Sequence, residues 1–145
     1  ASAGAMAVGA SQQKVALMRR FGEAVGMAFQ IQDDILDYTR TAQTGKPANN
    51  DLREGKITLP LLAVLDKVPA ERRTELLGRL ACCHDDEESV EYLQRTVENE
   101  GGLTFAAEVM RSYIARAVEM LSEYEASDYR TALANLCAYI AERDR

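Results

Sequence analysis

Apolar residues recur along most of this chain at intervals of three and four, and period-two alternation appears nowhere, so the pattern predicts an all-α fold. Residues 1–8 read as a small-residue helix that Gly9 stops. Ser11 is placed to cap a long helix running to about Thr39. Residues 41–50 read as a loop, with Asn50 or Asp51 capping the next segment. Ile57, Leu61, Leu62, Val64 and Leu65 return to helical spacing, with Pro60 near the start, where a missing N–H does little harm. Pro69 opens a further helix with Leu76, Leu77 and Leu80 on one face. The acidic run at 85–88 suits the first turn of the helix of Val90, Leu93 and Val97, near the positive end of its macrodipole. Gly101 and Gly102 end that helix. Phe105, Val109, Met110, Tyr113, Ala117, Met120 and Leu121 mark a helix to about Tyr124. Ser127 caps the last one, which carries Leu133, Leu136, Cys137 and Ile140.

The long helix from Ser11 has an unusual wheel. At about 100° per residue, Arg19, Glu23, Gly26, Gln30, Asp33, Asp34 and Asp37 share a wedge roughly 100° wide. Met18, Phe21, Val25, Ala28, Phe29, Ile31, Ile35 and Leu36 occupy much of the rest, the mark of a buried helix. Three carboxylates in the one polar wedge of a buried helix need compensation, because desolvating an unpaired charge costs several kcal/mol. The wedge is therefore expected to face water, cations or a cavity.

Composition narrows the function. The 145 residues suffice for one domain with a core, and 47% are hydrophobic. A formal net charge of −6 argues against a general nucleic-acid binder. Cys82, Cys83 and Cys137 have neither zinc spacing nor an even count, so free thiols in a reducing, cytoplasmic setting are expected. His84 reads as a surface residue at a helix end. No apolar run approaches the ~18 residues of a membrane span.

The candidate chemistry lies in two neighbouring stretches. Asp33 and Asp37, four apart, share a helical face with Asp34 to one side, and Gln30 sits a turn earlier with an amide that can donate or accept. Such carboxylates suit Mg²⁺, which binds through one or two of them plus waters and substrate phosphates. Downstream, Lys46 and Lys56 each follow a glycine and offer mobile point charges for phosphate oxygens. Thr58 adds a hydroxyl. The reading is a metal and diphosphate site, acidic first and basic second.

Together these stretches carry a resemblance. "FGEAVGMAFQIQDDILDY" and "GKPANNDLREGKITLPLL" resemble the second aspartate-rich region of the trans-isoprenyl diphosphate synthases, the polyprenyl synthetase family, most like its bacterial medium- and long-chain enzymes. The helix of Tyr113, Ala117 and Leu121, and the terminal stretch Tyr139, Ile140, Ala141, Glu142 and Arg143, also resemble that family's C-terminal end. The resemblance implies the helical bundle of the terpenoid synthases and a head-to-tail condensation of isopentenyl diphosphate with an allylic diphosphate. By the same resemblance Asp33, Asp34 and Asp37 are metal ligands, and Asp51 supports the metal, directly or through water. Lys46 and Lys56 hold the allylic diphosphate, and Gln30 lies near the reacting allyl group. It implies a homodimer as well.

Two departures qualify this. The family pattern usually has Gly where this chain has Asn49, although Asn tolerates the left-handed region better than most residues. The first aspartate-rich motif, the upstream basic residues and the Lys-Thr pair do not occur in the sequence. The expectation is that residues 1–145 form the C-terminal part of a single domain and are inactive alone. A non-catalytic helical partner subunit, or a related terpenoid-fold cyclase, are the competing readings; both lysines and all three aspartates weigh against the first, and the GKxTLP segment against the second.

Overall fold

In the computed structural model, which describes residues 1–39 and 48–143, every predicted helix forms and no strand occurs among the described residues. The elements are α1 (Ser2–Ala7), α2 (Gln12–Thr39), α3 (Asn50–Arg53), α4 (Leu59–Lys67), α5 (Ala70–Cys82), α6 (Glu87–Asn99), α7 (Gly102–Leu121) and α8 (Asp128–Glu142). Gly9 adopts φ +67° beyond α1, a left-handed turn open to glycine at little steric cost. The expected caps are in place. Ser11 Oγ accepts from the Lys14 N–H at 3.4 Å, and Ser127 Oγ from the Arg130 N–H at 3.2 Å. In the acidic run, Asp86 is the N-cap of α6 and accepts from the Glu88 N–H at 3.1 Å.

The described chain divides into two compact units, and both boundaries fall within helices. Residues 1–32 with 109–143 form the first, cored by Phe21, Ala24, Ala117, Leu121 and Cys137. Residues 33–108 form the second, in which α6 packs against α3, α4 and α5. Its core holds Tyr38, Leu52, Leu61, Val64, Leu76, Val90, Leu93 and Val97, all essentially inaccessible. Each aliphatic side chain among them contributes about 1.5–3 kcal/mol by leaving water.

Several boundaries differ from the sequence expectation. Ile57 precedes α4 and is exposed, and α7 stops at Leu121 rather than Tyr124. Asn49, not Asn50 or Asp51, is the N-cap of α3. Gly101 does turn the chain, with φ +76°, but Gly102 begins α7 instead of ending α6. The reason is contact. A Cβ on Gly102 would lie 2.4 Å from the Pro60 carbonyl oxygen and 3.0–3.1 Å from the Val97 and Val64 methyl groups. Only glycine lets the start of α7 meet the first turn of α4.

Gly102→Ala should therefore destabilise the protein by about 1–3 kcal/mol, the usual cost of overpacking against unyielding backbone. Urea unfolding checks this, and an unchanged midpoint would show that α7 shifts away freely.

Candidate metal and diphosphate site

The last two turns of α2 bring Asp33, Asp34 and Asp37 into the second unit, but not into equivalent surroundings. Asp33 and Asp34 are half-buried. Asp37 is only 6% exposed, and its Oδ2 accepts the Asp51 N–H at 2.9 Å. Its backbone carbonyl accepts the Asn49 N–H, also at 2.9 Å. The polar wedge thus departs from expectation at one position: Asp37 meets a backbone amide of α3, not water or open cavity.

Asn49 makes that meeting possible. It sits at φ 60°, ψ 34°, the left-handed region that Asn enters more readily than most residues. Its side chain makes no capping bond. Instead Nδ2 donates to Gln94 Oε1 at 2.7 Å. Gln94, which has no distinguishing sequence signal, also donates from Nε2 to the Tyr38 carbonyl at 3.2 Å and to Glu98 at 3.0 Å.

Past α3, Gly55 adopts φ +68° and reverses the chain. The Lys56 N–H then reaches the Asp51 carbonyl at 2.8 Å, and Lys56 Nζ pairs with Asp51 Oδ1 at 3.2 Å and with Glu54 at 2.5 Å. Those hydrogen bonds, Glu54 first and Asp51 second, raise the ammonium pKa. Lys56 stays exposed. Thr58 caps α4 without a side-chain bond, and its hydroxyl and that of Tyr38 are enclosed with no hydrogen-bond partner at good geometry. Burial pushes the Tyr38 phenol well up, and the neighbouring Thr58 hydroxyl partly opposes this.

The electrostatics centre on Asp34. Burial raises its pKa first and the charge of Asp51 second; the Leu59 N–H at the start of α4 opposes them, while Asp33 and Asp37 add to the rise. The second unit therefore brings Asp33, Asp34, Asp37, Asp51, Lys56 and Thr58 into one neighbourhood. Lys46 lies outside the described residues. Gln30 belongs to the first unit, exposed on a groove of about 700 Å³ with Met27, Phe29, Leu136 and Tyr139.

This donor set fits a hard divalent cation. All candidate ligands are carboxylate oxygens, and Asp34 carries repulsion from neighbouring anions that a cation would relieve. Among the described residues no three His, Cys, Asp or Glu side chains converge as a complete metal cluster. An ion held here by one or two carboxylates would need water or ligand oxygens to complete its shell. Elsewhere, Cys82, Cys83 and Cys137 are free thiols, and the exposed His84 faces Asp85 at 3.8 Å.

Known proteins resemble this chain in sequence and fold. A family model described as Polyprenyl synthetase matches residues 1–99. A short chain isoprenyl diphosphate synthase from Methanothermobacter thermautotrophicus is 34% identical over 143 residues, covering 98% of this chain and 43% of the relative. An all-trans-nonaprenyl-diphosphate synthase (geranyl-diphosphate specific) from Rhodobacter capsulatus is 39% identical over 127 residues, covering 87% and 38%. Among solved structures, a polyprenyl synthase from Caulobacter crescentus CB15, complexed with calcium and isoprenyl diphosphate, superposes with a TM-score of 0.86 at 32% identity. It is covered over 44% of its chain by 99% of this one. The chain thus spans less than half the length of these relatives.

The unequal surroundings of the aspartates predict opposite stability effects. Asp37→Ala removes a charge-assisted hydrogen bond and should cost about 1.5–3 kcal/mol in urea unfolding. Asp34→Asn should raise the melting temperature at pH 7, measured without divalent cations. A carboxyl whose folded pKa is raised stabilises the fold fully only below its unfolded value, and the benefit is lost as pH rises through the folded value. At pH 7 the Asp34 charge is therefore a burden that the neutral amide removes. A lower melting temperature for Asp34→Asn would refute this account.

Proposed function

The chain belongs to the polyprenyl synthetase family, and on that premise we propose that it forms the diphosphate-binding part of an enzyme that condenses isopentenyl diphosphate with an allylic diphosphate. The observation that carries this reading is the grouping of Asp34, Asp51 and Lys56 around the Asp37–Asp51 hydrogen bond. It sets oxygen donors beside a mobile ammonium, as a metal-bridged diphosphate requires.

In this reading Asp33 and Asp34 hold Mg²⁺, and Asp51 supports it through water. When bound, Mg²⁺ supplies the positive charge that offsets negative charge accumulating on the leaving diphosphate. Lys56 exchanges its carboxylate partners for diphosphate oxygens, and Lys46 acts on the same group. The allylic C–O bond would break with its electron pair going to the diphosphate, and the isopentenyl double bond would form the new C–C bond to the allylic carbon. The resulting tertiary cation would lose a C2 proton of the isopentenyl unit to the released diphosphate, leaving the new double bond. Gln30 lies near the allylic carbon and orients it. Preorganised charge of this kind acts where charge develops and needs little reorganisation during reaction.

Residues 1–145 are read as the C-terminal part of one domain, in an enzyme that works as a cytoplasmic homodimer. No described helix is long and apolar enough to cross a membrane. The relatives' names range from short-chain to nonaprenyl products, so the reading extends to the reaction class and not to product length.

The purified 145-residue chain, given Mg²⁺ and both diphosphates, should form no longer prenyl diphosphate; radiolabelled isopentenyl diphosphate incorporated into extractable product would overturn its incompleteness. In an active polypeptide carrying this chain, Asp33→Ala should lower turnover by about 10²-fold or more with unchanged circular dichroism. Near-normal turnover would remove Asp33 from the metal site.

A further inference from the structure

We propose that Gln94 is a positioning residue, which holds Asn49 in its left-handed conformation and thereby seats the Asp51 amide on Asp37. The proposal rests on the diphosphate reading above for its consequence, but its geometry stands independently.

The end of α2 sets the problem. Carbonyls in the last turn of a helix have no partner within it and must find one outside. Here the Asp37 carbonyl takes the Asn49 N–H at 2.9 Å, and the Tyr38 carbonyl takes Gln94 Nε2 at 3.2 Å. The same Gln94 amide accepts Asn49 Nδ2 at 2.7 Å through its oxygen. One side chain on α6 therefore ties the end of α2 to the residue that starts α3. Its orientation is fixed by the partners: the nitrogen faces two acceptors, Tyr38 O and Glu98 Oε1, and the oxygen faces a donor.

Asn49 needs that tie. It is the one described non-glycine residue at positive φ, and it is only 5% exposed. Its Oδ1 is enclosed without a hydrogen-bond partner, so Gln94 supplies the side chain's anchor. Were Asn49 to relax to negative φ, the two residues after it would turn away. The Asp51 N–H would then leave Asp37 Oδ2, and the Asp51 carboxylate would leave Lys56 Nζ. Among the described residues, the hydrogen-bond partners of Gln94 are Asn49, Tyr38 and Glu98, so it acts on the site through Asn49.

A double-mutant cycle read by amide hydrogen exchange tests this on the full chain. Gln94→Ala should accelerate exchange of the Asp51 amide by about tenfold or more, while core amides of Val64 and Leu76 change less than about twofold. Asn49→Gly removes the need for an anchor, because glycine holds positive φ without one. Adding Gln94→Ala to Asn49→Gly should accelerate Asp51 exchange by less than about threefold. If Gln94→Ala disturbs folding, Gln94→Met keeps the volume without the amide and should behave as Gln94→Ala is expected to. Equal acceleration in both backgrounds, parallel acceleration at Val64 and Leu76, or no acceleration at Asp51 would each overturn the proposal.

The functional arm uses Mg²⁺ with inorganic pyrophosphate in calorimetry. Gln94→Ala should weaken pyrophosphate binding by about tenfold, a loss of about 1.4 kcal/mol, and Asn49→Gly on top should restore most of it. A weakened affinity that Asn49→Gly does not rescue would overturn the positioning role. If the parent chain binds no pyrophosphate at all, the diphosphate reading fails and the exchange cycle alone decides Gln94.

Discussion

The bond from the Asp51 amide to the Asp37 carboxylate, 2.9 Å long and largely out of water, is the constraint on which the second unit turns. It joins the end of the longest helix to the start of the shortest. Once it is made, the direction of the chain is set for the next several residues. Asn49 must enter the left-handed region to deliver the amide, and Gly55 must do so to bring Lys56 back over Asp51. Thr58 then starts α4, whose first-turn Pro60 carbonyl leaves room for a hydrogen atom and no more at Gly102. Local choices of Asn and Gly are thereby coupled to a carboxylate that sequence alone would assign to metal binding. The backbone N–H on Oδ2 is a charge-assisted bond, about twice as strong as a neutral one, and it offsets part of the cost of burying the Asp37 charge.

Much of this is legible in the sequence, and the divisions are physical. Gly9, Ser11, Ser127 and the Pro60 turn act through neighbours one to four residues away, so spacing alone predicts them. Asn49 stands out because its residue type fits a conformation most residues avoid. Gly102 misleads because a glycine near a helix end has two explanations, and the contact that decides between them comes from Pro60, far back in the chain. Gln94 escapes notice for the same reason. Its partners Asn49 and Tyr38 lie 45 and 56 residues away, and a glutamine on a helix carries no local signature. The near-complete apolar wheel of α2 predicts burial, yet Met27 and Phe29 are exposed. Periodicity reports which face is apolar and not what covers it, and this chain spans less than half the length of its relatives.

The three aspartates of α2 differ in their surroundings. Asp37 is committed to the fold, where its charge gains a backbone donor. Asp34 gains the Leu59 N–H but loses more to burial and to like charges, so its ionised form is held at a cost. On the proposed reading, a cation beside Asp34 would relieve that cost. Such sites are where stability and function pull apart.

The sign of the whole cluster then constrains how a ligand enters. Among the described residues, Asp33, Asp34, Asp37, Asp51 and Glu54 bring five carboxylates into the second unit, and the Lys56 ammonium already engages Asp51 and Glu54. On the proposed reading, a bare diphosphate would meet these carboxylates at short range, and half-buried carboxylates are screened by salt less than exposed ones. A diphosphate carrying a divalent cation would instead offer that cation to Asp33 and Asp34. Its oxygens would be left for Lys56, whose flexible stem lets the ammonium turn toward them without moving backbone. On the diphosphate reading proposed above, these charges would favour a diphosphate that arrives together with its cation, with Lys56 changing partners last.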